Sequence, residues 1–156
     1  MVSSKHFNMN KKRAIITAIG LYIATFLIGI IISLSGGLNF SDPSKIPPYF
    51  WFVSLIITIG FSAFASLWYF NSSKTARNTK EGFLLGIIFV VTGFILDLLF
   101  FIPVFFKSGN LQNILIYYTR PIFFASLILV VATTTLMGSI GNGESKNKSL
   151  KKSSKK

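Results

Sequence analysis

The chain has no cysteine and a single histidine, His6, in its 156 residues. Without a thiol there is no disulfide, no thiol catalysis and no thiolate metal site, and one imidazole cannot build a histidine-rich metal cluster. Acid is almost as scarce, with four Asp and Glu against 16 Lys and Arg. No two carboxylates stand at a spacing suited to paired acid–base work. A Ser/His/Asp arrangement would need His6, in a basic N-terminal segment, to reach an acid inside an apolar run. "GFLLG" lacks the Gly-Lys-Ser/Thr ending of a phosphate loop, and "GNGES" has no strand before it or helix after it. The expectation is therefore a protein with no enzyme activity, no cofactor and no metal. Charge of either sign is short too: 13% of residues, where a soluble domain carries about a quarter.

What the chain does have is grease. Hydrophobic residues make up 51%, and Phe alone occurs 17 times. The apolar residues gather in four runs, at 14–34, 49–70, 83–106 and 114–137. Each exceeds the roughly 20 residues that a helix needs to cross about 30 Å of hydrocarbon. Transmembrane strands are about 10 residues long and alternate strictly, which these runs do not. The expected fold is all-α, an integral membrane bundle of four transmembrane helices. Residues 1–13 form a basic N-terminus, 14–137 the membrane domain and 138–156 a Lys/Ser-rich tail.

The basic residues sort by side. Lys5, Lys11, Lys12 and Arg13 precede the first run; Lys74, Arg77 and Lys80 lie between the second and third. Lys146, Lys148, Lys151, Lys152, Lys155 and Lys156 follow the fourth. Only Lys45 and Lys107 fall on the opposite side, and Arg120 lies within the fourth run. The positive-inside rule then puts both termini in the cytoplasm, in the cell membrane. Tyr49 to Phe52 open the second run and Trp68 to Phe70 close it, as aromatic belts at the two interfaces. The first run is longer than the roughly 15 residues of a signal-peptide core, which predicts a retained helix.

The loops and tail add little chemistry. "SGGLNFSDPSKIPP" is a turn-forming connector, and "KSGNLQN" is short enough to make spans three and four antiparallel neighbours. The tail has no apolar periodicity and is expected to be disordered. Its lysines suit the inner side of the membrane and contact with anionic lipid headgroups. No aromatic residue is interleaved among them, so specific nucleic-acid readout is not expected.

One acid breaks the pattern. Asp97 sits in "GFILDLLFFIPVFF", within span three. At helical spacing Gly82, Gly86, Gly93 and Asp97 share one face. Small residues let two membrane helices approach closely, so this face should pack inward and take Asp97 with it. A buried carboxylate needs a partner or a proton. Arg120 is the one basic residue inside a span, and helical rise places both about 14 Å below the outer ends of their helices. That matched depth predicts an Asp97–Arg120 ion pair. Tyr117 and Tyr118 lie beside it, and Pro103 and Pro121 free nearby carbonyls. Three uses stay open for the cluster: a register-fixing pair, a ligand, proton or ion pathway, or a protonated Asp97 with Arg120 reaching outward.

Spans three and four, from the Gly82–Gly86 spacing through Asp97 and its Leu-Leu-Phe-Phe-Ile-Pro to Tyr117-Tyr118 and Pro121, resemble the second half of small prokaryotic four-pass membrane proteins with no assigned function. The resemblance covers about 60 residues. It implies a fold and a membrane address, and it carries no activity. The functional expectation is a non-enzymatic accessory or structural membrane subunit. The alternative is a small transporter or channel component that uses the Asp97 cluster, with a second copy or a membrane-complex partner to enclose a pathway.

Overall fold

Four long helices run through the described residues, and local sequence explains where the first three begin. The computed structural model describes residues 9–36, 46–71, 77–103 and 118–153, with side chains except at 33, 101 and 141–153. Helix α1 spans Lys11–Ser35; the Asn10 side chain caps it by accepting the Arg13 N–H at 3.1 Å. Helix α2 spans Pro48–Phe70, with Pro48 in the first turn, where its missing N–H has no partner to lose. Helix α3 spans Thr79–Leu96, and the Asn78 side chain accepts the Glu81 N–H at 2.8 Å. A π-helical turn, Asp97–Phe101, continues it, with the Ile102 N–H donating to the Asp97 carbonyl. Pro103 follows at once. It has no N–H for the Leu99 carbonyl and its ring crowds that carbonyl, so a widened turn fits there. Helix α4 spans Pro121–Ser153. No strand occurs among the described residues.

Three boundaries differ from expectation, the first being the start of α1 at Lys11 rather than 14, set by the Asn10 cap. Helix α3 starts at Thr79, four residues before the apolar run at 83, because the Asn78 cap sets its start. Helix α4 does not stop at Met137; it continues to Ser153 through the segment expected to be disordered. Backbone hydrogen bonding within a helix is local, Lys and Leu are good helix formers, and positive charge near a helix C-terminus suits its dipole. The expected ends at 104–106 and 114–117 lie outside the described residues.

The helices form a ring in the order α1, α2, α4, α3. The most extensive interface is between α3 and α4; α4 also packs on α2, and α1 packs on α2 and α3. Helices α3 and α4 are antiparallel: Gly82 meets Thr134, Thr135 and Gly138, while Phe94 meets Tyr118 and Phe123.

Large apolar side chains such as Phe70, Leu85 and Phe89 are buried, yet many more lie on the outside. The interior holds small and hydroxylated residues such as Ala14, Ala18, Ser62, Ala65, Ser66 and Thr134. The outside carries Ile23, Leu27, Phe52, Ile56, Phe64, Leu99 and Ile128. Soluble monomers rarely expose contiguous apolar surface on this scale. Each of the four helices is long and apolar enough to cross a membrane, at 11–22% burial over its most apolar stretch. Lipid-facing helices associate through small residues and interhelical hydrogen bonds, and the interior is built of both.

Candidate functional site

The α3 acid collects hydrogen bonds from two other helices. Asp97 Oδ1 accepts from the Tyr22 hydroxyl of α1 at 2.8 Å, and Oδ2 accepts from the Tyr118 hydroxyl, just before α4, at 2.9 Å. Three segments of the chain therefore converge on one carboxylate. Rings brace both phenols. Tyr118 stacks on Phe94 at 6.4 Å and meets Phe123 edge-on at 4.9 Å, and Tyr22 stacks on Phe26 at 6.2 Å.

This corrects the expected Asp97–Arg120 pair. The carboxylate's hydrogen bonds come from phenols, while the Arg120 guanidinium lies 5.0 Å from the Trp51 ring centroid, on α2. Depth along the helix is not enough to pair two residues; their direction around the axis must also agree. Tyr118 and Arg120 are two positions apart, and the chain bends at Arg120 before α4 begins, so the two side chains do not share a direction. With Tyr118 on Asp97, Arg120 points toward the neighbour on its other side. Tyr117 lies outside the described residues.

The three glycines of α3 part company as well. A Cβ on Gly82 would lie 2.9 Å from Thr135 Cα, and one on Gly86 would lie 2.8 Å from Val131 Cα. Both are backbone approaches of α4 that only glycine permits. Gly138 on α4 answers them, with the Gly82 Cα at 3.0 Å from where its Cβ would stand. Gly93, by contrast, would meet nothing within 4 Å. The physical reason is that α3 and α4 touch closely only along the Gly82 half of α3. Further along, residues from all four helices line a partly open cavity of about 190 Å³, Gly93 and Asp97 among them.

The cavity wall is mixed. Tyr22 and Thr25 come from α1, Thr58 and Ser62 from α2, and Ser126 from α4, all among carbon-rich neighbours such as Leu21, Phe89 and Phe123. Thr25 donates to the Leu21 carbonyl at 2.9 Å, Thr58 to Ser54 at 2.8 Å and Ser126 to Phe123 at 2.6 Å. Each hydroxyl proton is thus spent on its own helix, and an oxygen lone pair is left to offer. Ser62 differs: it is fully buried, and its Oγ has no hydrogen-bond partner among the described residues.

A second polar cluster closes the opposite end of the bundle. The Glu81 carboxylate accepts from the Tyr69 hydroxyl at 2.9 Å, and both residues are buried. The Arg13 guanidinium lies 5.0 Å from the Trp68 ring centroid and donates to the Trp68 carbonyl. Helix α2 is thus held at each end by an Arg over a Trp: Arg120 on Trp51 and Arg13 on Trp68. Reading the sequence missed Tyr22, Ser62, Tyr69 and Glu81. Asn78-x-x-Glu81 is a helix-capping pattern that could have drawn attention to Glu81. Tyr22 could have been found as the phenol within span one. Ser62 gave no signal, because small hydroxylated residues are common in membrane helices.

Compared with known proteins, the chain matches no family model, no curated protein and no solved structure.

Proposed function

We propose that the chain is a multi-pass protein of the cell membrane, with both termini cytoplasmic, that acts as a non-enzymatic accessory or structural subunit. The observation that carries this reading is the three-way tie at Asp97, which joins α3 to Tyr22 of α1 and to Tyr118 ahead of α4. A carboxylate in an apolar bundle is costly unless its hydrogen bonds are met, so the tie selects one helix arrangement among many. Such an arrangement presents a fixed apolar exterior to a membrane partner or to a second copy of the chain. The C-terminal lysines add contact with anionic lipid headgroups.

Two experiments test this. Cysteines at Ser44, Ser73 and Ser149 in intact cells should label from outside only at Ser44; labelling at Ser73 or Ser149 refutes the orientation. Purification in mild detergent should bring down a membrane partner or a second copy in fixed ratio. A chain that runs alone as a monomer at every detergent concentration is not a subunit.

A second reading, a small transporter or channel component, is favoured by the cavity between the four helices. Purified protein in liposomes should then show solute or proton flux that Asp97→Asn abolishes. Flux unchanged by that substitution removes Asp97 from the pathway.

A further inference from the structure

The cavity between the helices has a definite chemistry, and it rests on the second reading above only in that both use this space. Its volume of about 190 Å³ somewhat exceeds the roughly 150 Å³ of an apolar cavity that takes up benzene. It therefore accommodates a ligand of about seven or eight non-hydrogen atoms. Most of the wall is carbon, including Leu21, Phe89, Phe94, Phe123 and Leu127.

Apart from Ser62, whose hydroxyl can donate as well as accept, the polar part of the wall is one-sided. Thr25, Thr58 and Ser126 donate to carbonyls of their own helices, and Tyr22 donates to Asp97. What the Thr25, Thr58 and Ser126 oxygens have left is acceptor capacity. Asp97 adds more: an ionised carboxylate offers roughly four lone-pair sites, and two phenols occupy one on each oxygen. Buried Ser62 contributes a hydroxyl with no partner among the described residues. A wall of acceptors around a carboxylate calls for a donor that carries positive charge. Aromatic rings line the same wall, and a ring face attracts a cation. A bare metal ion would require several oxygens gathered within about 2.5 Å of one point. Here the oxygens are spread over four helices and separated by hydrocarbon, which suits an ammonium head on a compact apolar body.

We propose that the cavity binds a small protonated amine of about seven non-hydrogen atoms, its ammonium on Asp97 and its carbon body among Phe89, Phe94, Phe123 and Leu127. The phenols of Tyr22 and Tyr118 hold the carboxylate in place and leave one edge of it for the ligand.

The test uses the full chain in lipid nanodiscs and a matched pair of probes, cyclohexylammonium and cyclohexanol. They have the same size and shape and differ in charge. Calorimetric titration should show the ammonium binding at least about ten-fold more tightly than the alcohol, after subtraction of empty nanodiscs. Asp97→Asn should remove that preference, since an amide still accepts a phenol and offers no negative charge. Gly93→Leu should block uptake of both probes by filling the space, and its Cβ meets nothing within 4 Å, so the bundle can still form. Equal affinity for the two probes overturns the proposal. So does ammonium binding that survives both variants, or displacement of the ammonium by sodium ions at equal concentration. Loss of the proposal leaves the subunit reading standing, because copy number and partner are measured without any amine.

Discussion

The two halves of α3 use the same residue type to opposite ends. Near its start, Gly82 and Gly86 let the α4 backbone come within contact distance, and Gly138 returns the contact. Near its end, a Cβ on Gly93 would meet nothing within 4 Å, and Gly93 lines a cavity. An acid also stands toward each end, Glu81 with one phenol and Asp97, just past the end of α3, with two. Glu81 is sealed with Tyr69, and Asp97 is held by Tyr22 and Tyr118 beside open space. A glycine on a packing face is thus not by itself a packing glycine. What decides is whether the neighbouring helix axis runs close at that height. Here α4 does so only along the first part of α3.

The contrast can be broken most severely at the closed half. Gly86→Leu drives a side chain into Val131 and Thr134 and should cost about 3 kcal/mol or more, seen as loss of the monodisperse species in detergent. A well-folded Gly86→Leu would mean that the helices do not approach as described. Next in size, Glu81→Ala leaves the buried Tyr69 hydroxyl without its acceptor and should cost about 2 kcal/mol in a detergent melt. Glu81→Gln keeps an acceptor and should cost less; equal losses would point to charge rather than hydrogen bonding. At the open half, Tyr22→Phe removes one of two bonds to Asp97 and should cost about 1 kcal/mol. If Tyr22→Phe melts at the wild-type temperature, the tie contributes nothing to stability. The smallest effect has the opposite sign. Gly93→Ala should stabilise by roughly 0.5 kcal/mol, because alanine is the better helix former and its methyl has room. Destabilisation there would erase the difference between the halves.

Much of this was legible in the chain. Four long apolar helices and the Gly82–Gly86 approach follow from hydropathy and spacing alone. Asp97 stood out because an acid in an apolar run is rare. Its partner did not follow. Depth counts rise per residue and is one-dimensional, so it matched Asp97 to Arg120 and was silent on direction around the axis. Tyr22 is 75 positions from Asp97 and comes from a helix that the loop-length argument never placed beside α3.

Composition by itself determined that the chain makes helices with apolar exteriors, because length, hydropathy and backbone hydrogen bonding are local matters. The spacing of the glycines and Asp97 set the inward face of α3. The tertiary structure decided which helices are neighbours in the ring, which glycine meets backbone and which meets space, and that phenols rather than a guanidinium meet Asp97. Those outcomes depend on how four cylinders settle against one another, and that geometry is fixed by all the contacts together rather than by any one span.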